Sequence, residues 1–239
     1  MDHKNTGSAF ILGFFICAGL ALMGYLLSSS IMRAKALDRT VTVKGLAERD
    51  VPADVAIWPI RFREAGNDLA RLVGVVQQKS ARVTDFLVKN GFSQNEISVS
   101  PPAILDRQAQ GYGNSGRVKF RYTATATITV YTRRVKRVRQ SMKKLVDLAR
   151  QGIAISGQDY EAKTQFLFTG LNRIKPEMVQ TATRKARQVA EKFAQDSQSR
   201  LGKIKQARQG QFSISNRDSN TPYIKKVRVV STLVYYLSD

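Results

Sequence analysis

From Ala9 to Leu27 the chain reads AFILGFFICAGLALMGYLL, and no charged side chain interrupts it between Asn5 and Met32. A hydrocarbon core of about 30 Å needs about 20 helical residues, whereas the apolar stretch of a secretory signal has about 7 to 15. The run predicts a transmembrane helix over residues 9–32, behind a short tail at 1–8. Ala34-Lys35-Ala36 has the small-x-small form a signal peptidase accepts, so cleavage after Ala36 stays open.

Beyond a basic linker at 33–40 the period changes to two. Val41, Val43, Gly45 and Ala47 alternate with polar positions as a half-buried strand requires. Glu48 to Asp54 reads as a turn. A strand from Val55 to Arg63 follows, with Ala56, Trp58, Ile60 and Phe62 on one face, and the pair suggests a hairpin. Pro59 cannot donate to a ladder and argues for an edge or a bulge.

Asn67-Asp68 then offers an N-cap to an amphipathic helix through Leu69, Leu72, Val73, Val76, Val83, Phe86 and Leu87, which Asn90-Gly91 stops. A weaker strand from Glu96 to Leu105 is interrupted by Pro101-Pro102. The cleanest strand runs from Val118 to Val130, apolar at every second position. Val135 to Ala149 returns to a helical period and ends at Gly152, and Tyr160 to Phe168 predicts another strand.

Pro176 is expected at the start of the longest helix of the body, where its missing N–H does no harm. Its buried stripe is read as Met178, Ala182, Ala186, Val189, Ala190 and Phe193, with Gly202 at the stop. Two strands close the chain, Gln206 to Ile214 and Val227 to Leu237, separated by a polar loop at Asn216 to Pro222. The order ββαββ followed by αβαββ lacks the regular βαβ period. It predicts an α+β fold, mainly antiparallel, with helices packed on one sheet face in a single body over residues 41–239.

Charge sharpens this picture. Lys and Arg number 39 against 18 Asp and Glu, a net +21, so the body attracts anions, with acidic lipid, lipopolysaccharide and nucleic acid as candidate partners. Eight cations, Arg133, Arg134, Lys136, Arg137, Arg139, Lys143, Lys144 and Arg150, stand against Asp147 alone in one run. A solvated helix face explains such a run as well as a binding surface does. No stacking aromatics interleave with it, so contact with anionic lipid or another acidic macromolecule ranks above nucleic acid.

Candidate chemistry is sparse. The one histidine is His3 and the one cysteine is Cys17, inside the apolar run, where it reads as a small packing residue. No Ser-His-Asp triad, Cys-His pair or His-based metal site can be built in the body, and no cofactor is expected. Glu48, Asp50 and Asp54 fall close together, but in a wet turn beside Arg49 they read as local ion pairs rather than an acid–base pair. Gly111, Gly113 and Gly116 match G-x-G-x-x-G without the preceding strand and following helix a nucleotide loop needs, so they read as a loop between strands.

Val41-Thr42-Val43-Lys44-Gly45 with Glu48, Pro52, Asp54 and Ala56 resembles the opening of bacterial SIMPL-domain proteins. The likeness continues through Asn90-Gly91, the strand from Ile97, the Tyr122 to Val130 strand, Ala182-Arg184-Lys185-Ala186 to Ala190, Leu201-Gly202-Lys203-Ile204 and the last valine-rich strand. It spans about residues 40 to 238. Two departures are the acidic residue after Gly45, two positions late at Glu48, and the strongly basic body.

The resemblance implies an α+β domain that is periplasmic or membrane-attached, ring-like or channel-like homo-oligomers in some members, and links to envelope integrity and stress. It supplies no catalytic residue. It also points the body outward from a bacterial inner membrane, whereas Arg33, Lys35, Arg39 and Lys44 beside the anchor point it inward by local charge. The chain is thus expected to be a non-enzymatic, single-pass envelope protein that binds itself and the bilayer, the alternatives being a basic module for anionic lipid or nucleic acid, or an enzyme.

Overall fold

The computed structural model of the chain describes residues 5–36, 39–109, 119–156 and 163–238. His3, the glycine segment 111–116, Val118 and Tyr160 lie outside them. The fold is α+β, as expected, and forms two compact units. One comprises residues 1–48, 175–213 and 228–239; the other comprises 49–174 and 214–227.

Helix α1, Asn5–Ala36, contains the one stretch among the described residues that is long and apolar enough to cross a membrane, Ile11–Ser28, with a mean hydropathy of 2.1. None of those 18 residues is buried against protein. The apolar side chains therefore point outward on every face, unlike those of a core helix.

Strands β1 (Thr40–Pro52) and β2 (Val55–Gly66) correct the hairpin expectation. The first strand does not stop at Glu48 but runs on to Pro52, and it joins a different sheet from the second. The reason is that β2 already has neighbours on both sides. It pairs antiparallel with β5 (Tyr122–Thr132) over its whole length, Ile60 opposite Ile128, and with β6 (Gln165–Leu167) through Val55–Ile57. Asp54 accepts from the Thr169 N–H at 2.8 Å and directs the turn toward β6. Pro59 lies past the end of β6 and before the isolated Phe62–Ile155 bridge, so the edge expected there is real but local.

The other edge of β5 is shared by β3 (Ile97–Val99) and β4 (Ala103–Asp106), which Pro101-Pro102 separates as expected. β5 itself begins four residues late. Arg121 donates its N–H to Asn67 Oδ1 at 2.9 Å and forks onto Asp106, which diverts the chain before Tyr122 and leaves Phe120 exposed.

Helix α2 (Leu69–Lys89) lies on this sheet because Leu72, Val76, Val83, Phe86 and Leu87 share one face. Asp68 caps it, accepting from Arg71 N–H at 3.0 Å, and Gly91 leaves it at φ +85°, a left-handed conformation that favours glycine. Lys79 on α2 ties Glu64 of β2 to the Gly152 carbonyl. The helix expected from Val135 to Ala149 is two, α3 (Val135–Met142) and α4 (Val146–Arg150). Three-residue hydrogen bonds from Lys144 to Ser141 and from Leu145 to Met142 tighten the chain between them, and Val138 and Leu148 both reach the core.

Helix α5, Leu171–Asp196, starts before Pro176, not at it. One turn precedes the proline, which forgoes the bond to the Asn172 carbonyl near the helix end. Met178, Ala182, Ala186, Ala190 and Ala194 are buried at four-residue spacing, whereas Val189 and Phe193, expected in the stripe, are 39% and 55% exposed. A stripe of alanines is narrow, and both larger residues fall off its edge. Gly202 does not stop the helix. The Ser199 N–H returns to the Ala194 carbonyl at 2.8 Å with Gln198 left-handed at φ 54°, which closes the helix three residues beyond Asp196.

Strands β7 (Arg200–Gln209), β8 (Ser213–Asn216) and β9 (Ile224–Ser238) complete the chain, so the expected strand from Gln206 to Ile214 is two strands, the first starting at Arg200. β9 pairs with β1, and β7 and β8 both pair with β9. In the first unit, Val43 of β1, Ala186 and Ala190 of α5, and Leu233 and Tyr235 of β9 form one small cluster. Gly45 faces the α5 backbone so closely that an added Cβ would collide with the Ala182 carbonyl and the Ala186 N–H.

Candidate functional site: a basic cleft at the start of α3

The second unit holds the expected basic run, and its local fold explains where each cation goes. Thr132, the last residue of β5, accepts the Arg134 N–H at 3.0 Å and donates to Glu96. Glu96 also accepts from the Ser93 N–H at 2.9 Å and pairs with Arg134. Burial pushes its carboxyl up, but the Thr132, Ser93 and Arg134 hydrogen bonds and the Arg134 charge outweigh that and hold it at about 2. Glu96 therefore stays ionised and pins the β5–α3 junction.

From that junction Val135 and Val138 turn inward and the cations turn outward. A cleft of about 670 Å³ opens there, lined by Arg133, Arg134, Lys136, Arg137, Arg139 and Gln140 over Pro52, Ala53, Val135, Tyr223 and Ile224. Its charges are all positive and its floor is apolar. The Arg139 guanidinium lies 3.4 Å over the Tyr223 ring, whose edge-on neighbour is Phe166. Arg137 donates to the Gly91 carbonyl at 2.6 Å.

The structure divides the run of eight cations. Arg133, Arg134, Lys136, Arg137 and Arg139 share the cleft, while Lys144, bonded to Asn90 Oδ1 at 3.0 Å, lines a second hollow of about 270 Å³ with Arg137 and Gln140. Lys143 lines neither. Arg150, the eighth cation, pairs with Asp147 on the exposed surface. Pro52, Ala53, Tyr223 and Ile224 were not foreseen, because they reach the cleft from the end of β1 and the start of β9, far away in sequence, and carry no charge to mark them.

The remaining carboxylates do not converge. Glu48 pairs at 3.5 Å with Arg228 and Asp54 accepts from the Thr169 N–H and hydroxyl, so both carboxylates find partners distant in sequence rather than the local ion pairs expected. Asp218 is held at about 2, chiefly by hydrogen bonds from Thr221 and Arg217 in the loop before β9. Among the described residues no three His, Cys, Asp or Glu side chains gather as a metal site. The arrangement offers positive charge over an apolar floor.

Residues 41–232 match the SIMPL family, described as a protein of unknown function (DUF541). No curated protein matches the chain.

Proposed function

The chain belongs to the SIMPL family, and on that premise we propose that it is a non-enzymatic protein of the bacterial envelope, anchored by α1, whose body lies outside the cytoplasm and assembles with further copies of itself. The observation that carries the anchoring is the outward-facing apolar surface of Ile11–Ser28. In water that surface would be costly, and in a bilayer it is the solvent-facing side of an ordinary spanning helix.

Self-association is supported by the sheet of β1, β9, β7 and β8. Every residue of β7 except Leu201 is exposed, Ile204 among them, and Phe193 of α5 adds an exposed phenyl ring in the same unit. Unpaired strand edges and exposed apolar side chains are what a symmetric assembly covers. Lys203, Lys205 and Arg208 on β7 discourage indiscriminate edge pairing, which favours a closed assembly over an open fibre.

Two measurements test the proposal. A reporter active only outside the cytoplasm, fused after Asp239, is expected to be active in intact cells; activity from a cytoplasm-only reporter at the same position would overturn the topology that family membership favours over the charge count. Native mass spectrometry of the full chain in detergent is expected to show a discrete oligomer, and a monomer at micromolar concentration would remove the assembly.

A further inference from the structure

We infer that the cleft at the start of α3 is a binding site for a phosphomonoester carried on an apolar chain. The first ground is charge already spent and charge still available. Of the five cations lining the cleft, Arg134 is neutralised by Glu96, while Arg137 keeps its charge but gives an N–H to the Gly91 carbonyl. Arg133, Lys136 and Arg139 have neither a carboxylate nor a hydrogen-bond acceptor among the described residues, and no acidic residue lines the cleft. Three available cations match a phosphomonoester, with a charge near −2, better than a diester with −1.

The second ground is Arg139. Its guanidinium face is covered by Tyr223 at 3.4 Å, so its N–H edge is held in one plane and remains open. A planar, pre-positioned fork is the arrangement that takes two phosphate oxygens at once. At the start of α3 no side chain caps the helix, and the Arg137 and Val138 N–H groups both return to the Arg134 carbonyl. The N–H groups of Val135 and Lys136 are left at the helix start, where an anion is favoured.

The third ground is the floor. Pro52, Ala53, Val135 and Ile224 are aliphatic, and the Tyr223 ring is taken by Arg139 on its face and set edge-on against Phe166. Arg139 already covers a face of Tyr223, the one aromatic ring in the lining, which favours an alkyl or acyl chain over a stacked nucleobase. A volume of about 670 Å³ accommodates a headgroup and the first part of such a chain.

The test is titration calorimetry of the full chain in phosphatidylcholine nanodiscs, with dihexanoyl phosphatidic acid as the probe. Saturable binding is expected, at least about tenfold tighter than for inorganic phosphate or dihexanoyl phosphatidylcholine. Arg139→Gln and Lys136→Gln should each weaken it about tenfold, while Lys143→Gln, in the same run but outside the cleft, should leave it unchanged. If long-chain phosphatidic acid in the nanodisc abolishes the titration, the site stands with a bilayer lipid as its source; if the titration persists, it stands with a soluble amphiphile. Absence of saturation, equal binding of free phosphate, or an equal loss in Lys143→Gln would each overturn the site, the last by reducing it to diffuse charge. None of these readings depends on the topology or the oligomeric state.

Discussion

The two units solve the same packing problem with opposite materials. The one built on β2, β5 and α2 fills its core with bulk: Trp58, Ile60, Phe62, Leu87 and Ile128 are all essentially inaccessible. The one that contains Gly45 and most of α5 does it by removing bulk. Its helix presents alanines and its strand a glycine, so that two backbones meet almost directly. The first is then vulnerable to what is taken out and the second to what is put in.

The sharpest way to break the contrast is to remove Phe62, the largest of those side chains after Trp58. Phe62→Ala is expected to lower stability by about 3–5 kcal/mol, seen as an earlier urea transition in the fluorescence of Trp58, the one tryptophan. A loss under about 1 kcal/mol would mean that the core tolerates voids. Next in size is the addition. Gly45→Ala should destabilise by about 2–3 kcal/mol, read as faster hydrogen exchange at the Ala186 and Ala190 amides. Unchanged protection there would remove the close approach as the reason for the glycine.

Polar groups extend the comparison. Glu96 has three donors around one carboxylate, whereas the Tyr235 hydroxyl and the Ser231 hydroxyl are buried with no hydrogen-bond partner among the described residues. Because Glu96 is held below its ordinary 4.5, at about 2, its contribution is fully present above about pH 4.5 and is lost as the pH falls toward 2. Allowing for solvent screening it is on the order of 1 kcal/mol, and Glu96→Gln should flatten the stability profile across that window; a profile identical to the parent would detach Glu96 from acid stability. The smallest effect has the opposite sign. Burial pushes the Tyr235 hydroxyl up and leaves it unsatisfied, so Tyr235→Phe should raise the melting point, by about 0.5–1 kcal/mol of stability. A lower melting point would mean that the hydroxyl has a partner in solution.

What could be read from the chain follows the same division. Where large apolar residues alternate or recur, as in β2 and along α2 from Leu72 to Leu87, the period named the element and its buried face. Where the core is made of small residues, the period misled: Val189 and Phe193 were placed in the stripe by size, although the alanines beside them are what the sheet can accommodate. β7 was misjudged for a related reason, since a strand exposed on both faces has no alternation to read. The failed hairpin has another cause. A turn such as Pro52-Ala53-Asp54 looks alike whether the next strand folds back or enters a different sheet, and only the partners of β2 decide. Of the cleft, the cations were legible as a run. The apolar floor was not, because Tyr223 lies after the polar loop and Pro52-Ala53 in a turn, where hydrophobicity has no period to reveal it.

The pairing of β1 with β9 bears on the order of events in time. These are the first and last strands of the sequence, so the sheet they share cannot begin to close until nearly the whole body has been synthesised and, for an exported chain, delivered across the membrane. The other sheet, built from strands between them, can form while β9 is still absent. Late closure by distant partners is slow, and during that interval β1 exposes an unpaired edge that a chaperone, or β9 of a neighbouring copy, could reach first.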